Sequence, residues 1–145
     1  MKRIISDLKT GNVSSVDLTA AEVLAKREPL SVVQEKARAV LITARNNTIL
    51  GGFPYLGKMI DSDRDSVMAV TGAAVAALAA KAAGLPYAVV WTCADDSTLE
   101  LDADGVLGMA VALAMFADAQ HAKARPLKME IADETDHEKI KQVKW

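Results

Sequence analysis

The residues whose types and spacing match known chemistry fall mostly between Gly51 and Asp65, in the run GGFPYLGKMIDSDRD. Gly52-Phe53-Pro54-Tyr55-Leu56-Gly57-Lys58 has the spacing of a phosphate-binding loop, in which backbone amides surround phosphates and a lysine reaches the terminal ones. The loop is incomplete. Met59 stands where a hydroxyl must meet the magnesium ion, and no helix is expected to begin before Asp61. Asp61, Asp63 and Asp65 alternate like the first ligands of a calcium loop, but the glycine and glutamate such a loop needs are replaced by Ser66 and Gly72. Acids placed just before a helix are better read as caps for its amides.

The remaining chemically capable residues are scattered. His121 and His137 are the only histidines, neither has a Cys or second His at ligand spacing, and Cys93 is the single cysteine. That excludes an internal disulfide and argues against zinc. No Ser-His-Asp or Cys-His arrangement is recognisable from spacing. The expectation is a protein that is not an enzyme and carries no cofactor or metal. A ligand-binding protein or enzyme using Lys58, Asp61, Asp63 or His121 is the competing reading from another class.

The elements that must position these residues read as α+β: a small, mostly helical domain with two or three short β-hairpins, plus an N-terminal hairpin and a docking helix. Arg3–Leu8 and Asn12–Leu18 are expected to pair around a turn at Lys9-Thr10-Gly11-Asn12. Thr19 and Glu22 have capping-box spacing for a short helix that must stop by Pro29. From Pro29 to Asn47, Leu30, Val33, Ala37, Val40 and Ala44 recur at steps of three and four, the seam of a helix that packs along one stripe. They are the candidate oligomerisation or docking seam, or else the inner face of an ordinary amphipathic helix. Phe53–Ile60 is expected as a pair of short strands around Gly57, followed by a helix capped at Asp61-Ser62-Asp63 and ended by Gly84.

A second hairpin is expected from Tyr87–Cys93 and Thr98–Leu101 around Ala94-Asp95-Asp96-Ser97. Asp102 or Asp104 then caps a long helix that Pro126 should end or kink, with Leu127–Ala132 as a further helical piece. Asp133-Glu134-Thr135-Asp136 opens a last short helix before Trp145. The helix after Asp63 carries Gly72, Ala76 and Ala80 at four-residue steps beside Ala69, Ala73 and Ala77. Such small residues let helices approach closely. The expected partner is Gly105–Ala119, through Gly108, Ala112 and Ala119 and the larger Leu107, Val111 and Met115.

Composition narrows the function classes. Hydrophobic residues make up 51% of the 145 but aromatics only 4%, so the core must be built from close-packed aliphatic side chains. The net charge of −2, with both signs interspersed, gives no basic footprint for nucleic acid. The longest uncharged runs, Ser66–Ala80 and Gly105–Ala117, are shorter than the ~20 apolar residues of a membrane helix. No membrane insertion is expected.

From about Gly51 to Trp145 the chain resembles a domain of unknown function found at the C-terminal end of bacteriophage tail and tail-fibre-associated proteins. The residues that carry the resemblance are Gly51-Gly52-Phe53, Gly57-Lys58, Asp61-Ser62-Asp63, Gly72-Ala73-Ala74, Trp91-Thr92 with Ala94-Asp95, the run Gln120–Arg125, and Trp145. Met59-Ile60, where a larger aromatic is expected, and Pro126 depart from it. The resemblance implies a non-enzymatic tail structural protein, made in the bacterial cytoplasm and located in the virion tail, that docks on a fibre or baseplate. A fibre-assembly chaperone absent from the mature virion is the alternative. It brings no catalytic residues. The implied division is residues 1–50 as an N-terminal hairpin and docking segment and 51–145 as the tail-associated domain, with other tail proteins and further copies of the chain, three or two in all, as partners.

Overall fold

The computed structural model describes residues 2–6, 13–17, 19 and 27–145. Strands β1 (Lys2–Ser6) and β2 (Val13–Asp17) pair antiparallel, from Lys2 opposite Asp17 to Ser6 opposite Val13. The expected turn at residues 9–12 and the Glu22 end of the capping box lie outside the described residues. Helix α1 (Leu30–Leu50) follows Pro29, whose fixed φ suits a helix entry. It runs past Asn46 and Asn47, where sequence predicts its end, and stops at Gly51, whose amide donates to the Thr48 carbonyl.

Strands β3 (Phe53–Tyr55) and β4 (Lys58–Ile60) form a tight hairpin. Its two loop residues, Leu56 and Gly57, have φ of 46° and 76°. Positive φ at both positions gives the twist that joins adjacent antiparallel strands. Helix α2 (Arg64–Ala82) starts where the Asp63 carboxylate accepts the Asp65 and Ser66 amides. It ends in the Schellman arrangement. The Leu85 amide donates to the Ala80 carbonyl and the Gly84 amide to the Lys81 carbonyl, with Gly84 at φ 67°.

Strands β5 (Ala88–Thr92) and β6 (Thr98–Asp102) pair antiparallel and lead directly into α3 (Ala103–Asp133), capped by Asp102 accepting the Gly105 amide. Of the two outcomes expected at Pro126, an end or a kink, the end does not occur: α3 passes through the proline and takes in Leu127–Ala132, the expected further helical piece. An interior proline costs about 3 kcal/mol. Ala124 and Ile131, buried on either side of it, hold the helix on course by packing. Helix α4 (His137–Gln142), capped by Asp136, completes the chain before Trp145.

The buried residues divide into two clusters. The first gathers Phe53, Ile60, Val70, Ala77, Cys93, Leu101, Val106 and Met109 from the β3–β4 and β5–β6 hairpins, α2 and the first half of α3. The second gathers Val33, Leu41, Ile131 and Ile140 from α1, the end of α3 and α4, with Trp145 against it. Helix α3 belongs to both. Helices α2 and α3, at 19 and 31 residues, extend beyond their uncharged runs and reach the length and apolar content of membrane-spanning helices. This corrects the expectation that neither segment is long enough. In the fold they pack against each other.

Candidate functional site

The β3–β4 loop stands beside the β5–β6 hairpin and the start of α3, and the three enclose an open groove of about 630 Å³. Leu56, Val90 and Leu101 supply apolar wall, and Glu100 and Asp102 contribute carboxylates. The alternation of β5 and β6 explains this mixture. Val89 and Trp91 turn inward to the core together with Leu99 and Leu101, leaving Ala88, Val90, Glu100 and Asp102 on the exposed side of the pleat.

Tyr55 anchors one side. Its hydroxyl donates to the Gly105 carbonyl at 2.6 Å. A Cβ on Gly108 would lie 2.7 Å from the same oxygen, so only glycine leaves room for the phenol against α3. Burial pushes the Tyr55 pKa up, and the nearby Asp102 carboxylate adds to the shift. Both effects keep the phenol protonated as a donor. The pair Tyr55–Gly108 was not legible from local sequence, because the residues are 53 positions apart and the patterns they sit in, a phosphate-loop spacing and a small-residue helix face, point to other partners.

Of the residues singled out for chemistry, Lys58 and Asp63 are committed to architecture, while Asp61, Asp65 and His121 are exposed. Gly52–Lys58 folds as a hairpin strand and turn, with Lys58 paired to Asp95 at 3.5 Å and the next helix beginning only at Arg64. Asp63 caps α2, and its hydrogen bonds from the Ser66 side chain and backbone hold its pKa below the usual carboxylate range. Ser66 and Gly72 lie on α2 itself, so the calcium-loop register runs into a helix. Among the described residues no group of three or more His, Cys, Asp or Glu is placed to hold a metal. His137 Nε2 meets the Glu28 carbonyl at 3.0 Å. His121 is exposed on α3, 16 positions from His137 in sequence.

Ser62, unremarkable in sequence, is fully buried: its hydroxyl donates to the Ile49 carbonyl at 2.5 Å and accepts the Gly52 amide at 2.8 Å. It fastens the end of α1 to the β3–β4 hairpin. The Ala94 amide donates to the Met59 carbonyl at 3.0 Å and fastens the β5–β6 hairpin to the β3–β4 hairpin. The small residues of α2 are also placed differently from expectation. Val70, Ala73, Ala74 and Ala77 face the core, whereas Gly72 and Ala76 are exposed. On α3, Val111, Met115 and Ala119 are exposed, and the space beside Gly108 is filled by Tyr55.

The seam on α1 is divided. Leu30, Val33 and Ala37 pack within the chain on the second cluster, Ala44 is half-buried, and Val40 is 70% exposed. The stripe buried in practice turns through Leu41 rather than Val40. Gln34 reinforces this packing, donating from Nε2 to the Ala132 and Glu134 carbonyls at 3.0 and 3.2 Å. The whole seam is therefore not presented to another molecule.

Residues 32–143 match the family model described as a domain of unknown function, DUF4376. The chain belongs to the DUF4376 family. The DUF4376 match begins inside α1, earlier than the Gly51 boundary expected from sequence, and ends between α4 and Trp145. It therefore takes in both clusters of the core. No curated protein and no solved structure matches the chain.

Proposed function

We propose that this DUF4376 chain is a non-enzymatic structural protein of a bacteriophage tail, docking on or forming part of a fibre or baseplate. It acts through surfaces, in company with other tail proteins and further copies of itself, and without nucleic acid, membrane or cofactor. The observation that carries the reading is the employment of its chemically capable side chains. Lys58, Asp63, Asp95, Asp136 and Tyr55 are each engaged in a turn, a cap or an anchoring hydrogen bond. The groove between the two hairpins and α3 is open, with aliphatic walls and two carboxylates. That is a surface for another protein rather than a cavity that excludes water around a reacting bond. The ordered series of residues from Gly51 to Trp145 supports the tail assignment.

The test is mass spectrometry of purified virions from a phage that encodes the chain, together with labelled antibody against the chain in electron micrographs. Stoichiometric recovery with label on the tail is the expected result. Absence from particles, with fibres misfolding when the gene is deleted, would replace the structural role by that of an assembly chaperone.

A further inference from the structure

Helix α2 turns only one face to the core. Its opposite face presents Met68, Val75 and Leu78, which are 68%, 64% and 60% exposed, with Thr71, Gly72, Ala79 and Ala82 also exposed. These seven positions form one stripe: Met68, Val75 and Ala82 repeat at sevens, with Thr71 and Leu78 three residues on and Gly72 and Ala79 four. This is the spacing of a helix packed against another helix along its length. No charged residue interrupts it between Asp65 and Lys81.

The stripe is complementary to itself. Laid antiparallel about Val75, two copies of α2 bring Met68 opposite Ala82, Leu78 opposite Gly72, and Thr71 opposite Ala79. Large faces small at the outer pairs, and Val75 meets its own copy on the axis. That is what an isologous twofold contact requires. The antiparallel arrangement also sets the helix dipoles head to tail. Gly72 has open space around its Cβ position, so nothing among the described residues accounts for a residue that weakens a helix interior.

The surface area agrees. The chain exposes 9793 Å². A compact monomer of its mass exposes roughly 7,200 Å². The surplus, to which the N-terminal hairpin and the bare helix faces both contribute, exceeds the roughly 800 Å² per partner that a stable interface buries.

We propose that the outer face of α2 is a self-association surface, occupied by the α2 of a second copy in an antiparallel pair centred on Val75. This transfers the self-association expected of the α1 seam to a helix whose outer apolar face has no partner among the described residues. It rests on the assembly reading only for the premise that the protein works in more than one copy.

Sedimentation equilibrium of the full chain tests it, using Val75→Glu, Gly72→Leu and the control Val40→Glu on α1. The wild type is expected to dimerise. Val75→Glu places like charges on the axis and should weaken the dimer by about a hundredfold or more while leaving the far-UV spectrum unchanged. Gly72→Leu should raise the melting temperature of the monomer yet weaken the dimer, because the new side chain meets Leu78 of the other copy. Under oxidation, Val75→Cys should give a covalent dimer and Met115→Cys should not. A wild type that stays monomeric at high concentration overturns the interface, and so does self-association that survives Val75→Glu or is lost in Val40→Glu. Recovery of a monomeric chain in virions would overturn this proposal while leaving the tail assignment standing.

Discussion

The two halves of the core are built on different plans. In the first, hairpins and two helices close around Phe53, Ile60, Val106 and Met109, and hydrogen bonds such as Tyr55 to Gly105 and Ala94 to Met59 set how the pieces meet. In the second, three helical segments meet around Val33, Leu41, Ile131 and Ile140, and the C-terminal Trp145 serves as a latch. Its indole nitrogen donates to Thr48 Oγ1 at 2.8 Å, and the Lys123 ammonium lies 4.2 Å from the ring centre. The first region takes its shape from backbone turns that need particular residues, and the second from side-chain burial along straight helices. Helix α3 joins them rigidly, so the two are expected to unfold together.

The largest expected effects probe that joint behaviour. Phe53→Ala removes a fully buried ring from the first cluster and should cost about 3–5 kcal/mol. Ile131→Ala should cost about 2–5 kcal/mol in the second. Each cluster has its own tryptophan, Trp91 in the first and Trp145 in the second. Urea titrations of the single-tryptophan variants Trp145→Phe and Trp91→Phe should therefore report one coincident midpoint, shifted by either core substitution. Two midpoints would mean that α3 does not couple the halves.

Pro126→Ala bears on the coupling itself. The proline is exposed within α3 and lacks the amide that would bond the Ala122 carbonyl. Alanine should stabilise the protein by about 1–2 kcal/mol in thermal unfolding, less than the full proline penalty because the unfolded chain also gains freedom. A loss of stability would show that a bend at residue 126 is needed for Ile131 to reach its cluster.

Leu56→Asn sharpens the role of turns in the first region. Leucine at φ 46° is strained, whereas Asn before Gly57 is the preferred pair for this turn. The expected gain is about 1 kcal/mol, measured as a rise in the urea midpoint.

The smallest effect is in acid. Hydrogen bonds hold Asp63, Asp95, Glu134 and Asp136 below the usual carboxylate range: from Ser66 to Asp63, from Ser97 to Asp95, and from the amides of Asp136 and Glu138 to Glu134 and Asp136. A carboxylate whose pKa is lower in the folded chain adds stability above its unfolded pKa and loses it as pH falls through the folded one. Melting temperature should thus change little from these groups between neutral pH and about 5, then decline through and below the ordinary carboxylate pKa of about 4. Asp63→Asn should lessen the decline, since the cap remains but the charge does not.

Much of the local structure is legible in the residues. Asp63, Asp102 and Asp136 announce helix starts, Gly84 a helix end, and Gly57 a hairpin turn, because each acts on amides or dihedrals within a few positions. The candidate groove is not legible, since Leu56, Val90 and Asp102 meet only when two hairpins are fastened side by side. The α1 seam shows the limit from the other direction. Its period correctly marks a packed helix, but Val40 and Leu41 differ in position by one residue and in exposure by nearly everything, 70% against 2%.

By itself, then, the sequence determined where the helices after Asp63, Asp102 and Asp136 begin, where two hairpins turn, and that small aliphatic residues would fill the core. Those are consequences of backbone geometry and composition. Only the tertiary structure decided that α3 continues through Pro126, that α1 spends most of its seam on the end of α3 and on α4, and that α2 keeps its Met68–Ala82 stripe exposed. Each of these depends on which apolar face has a partner in the fold, and burial along a long helix outweighs the local cost of one proline.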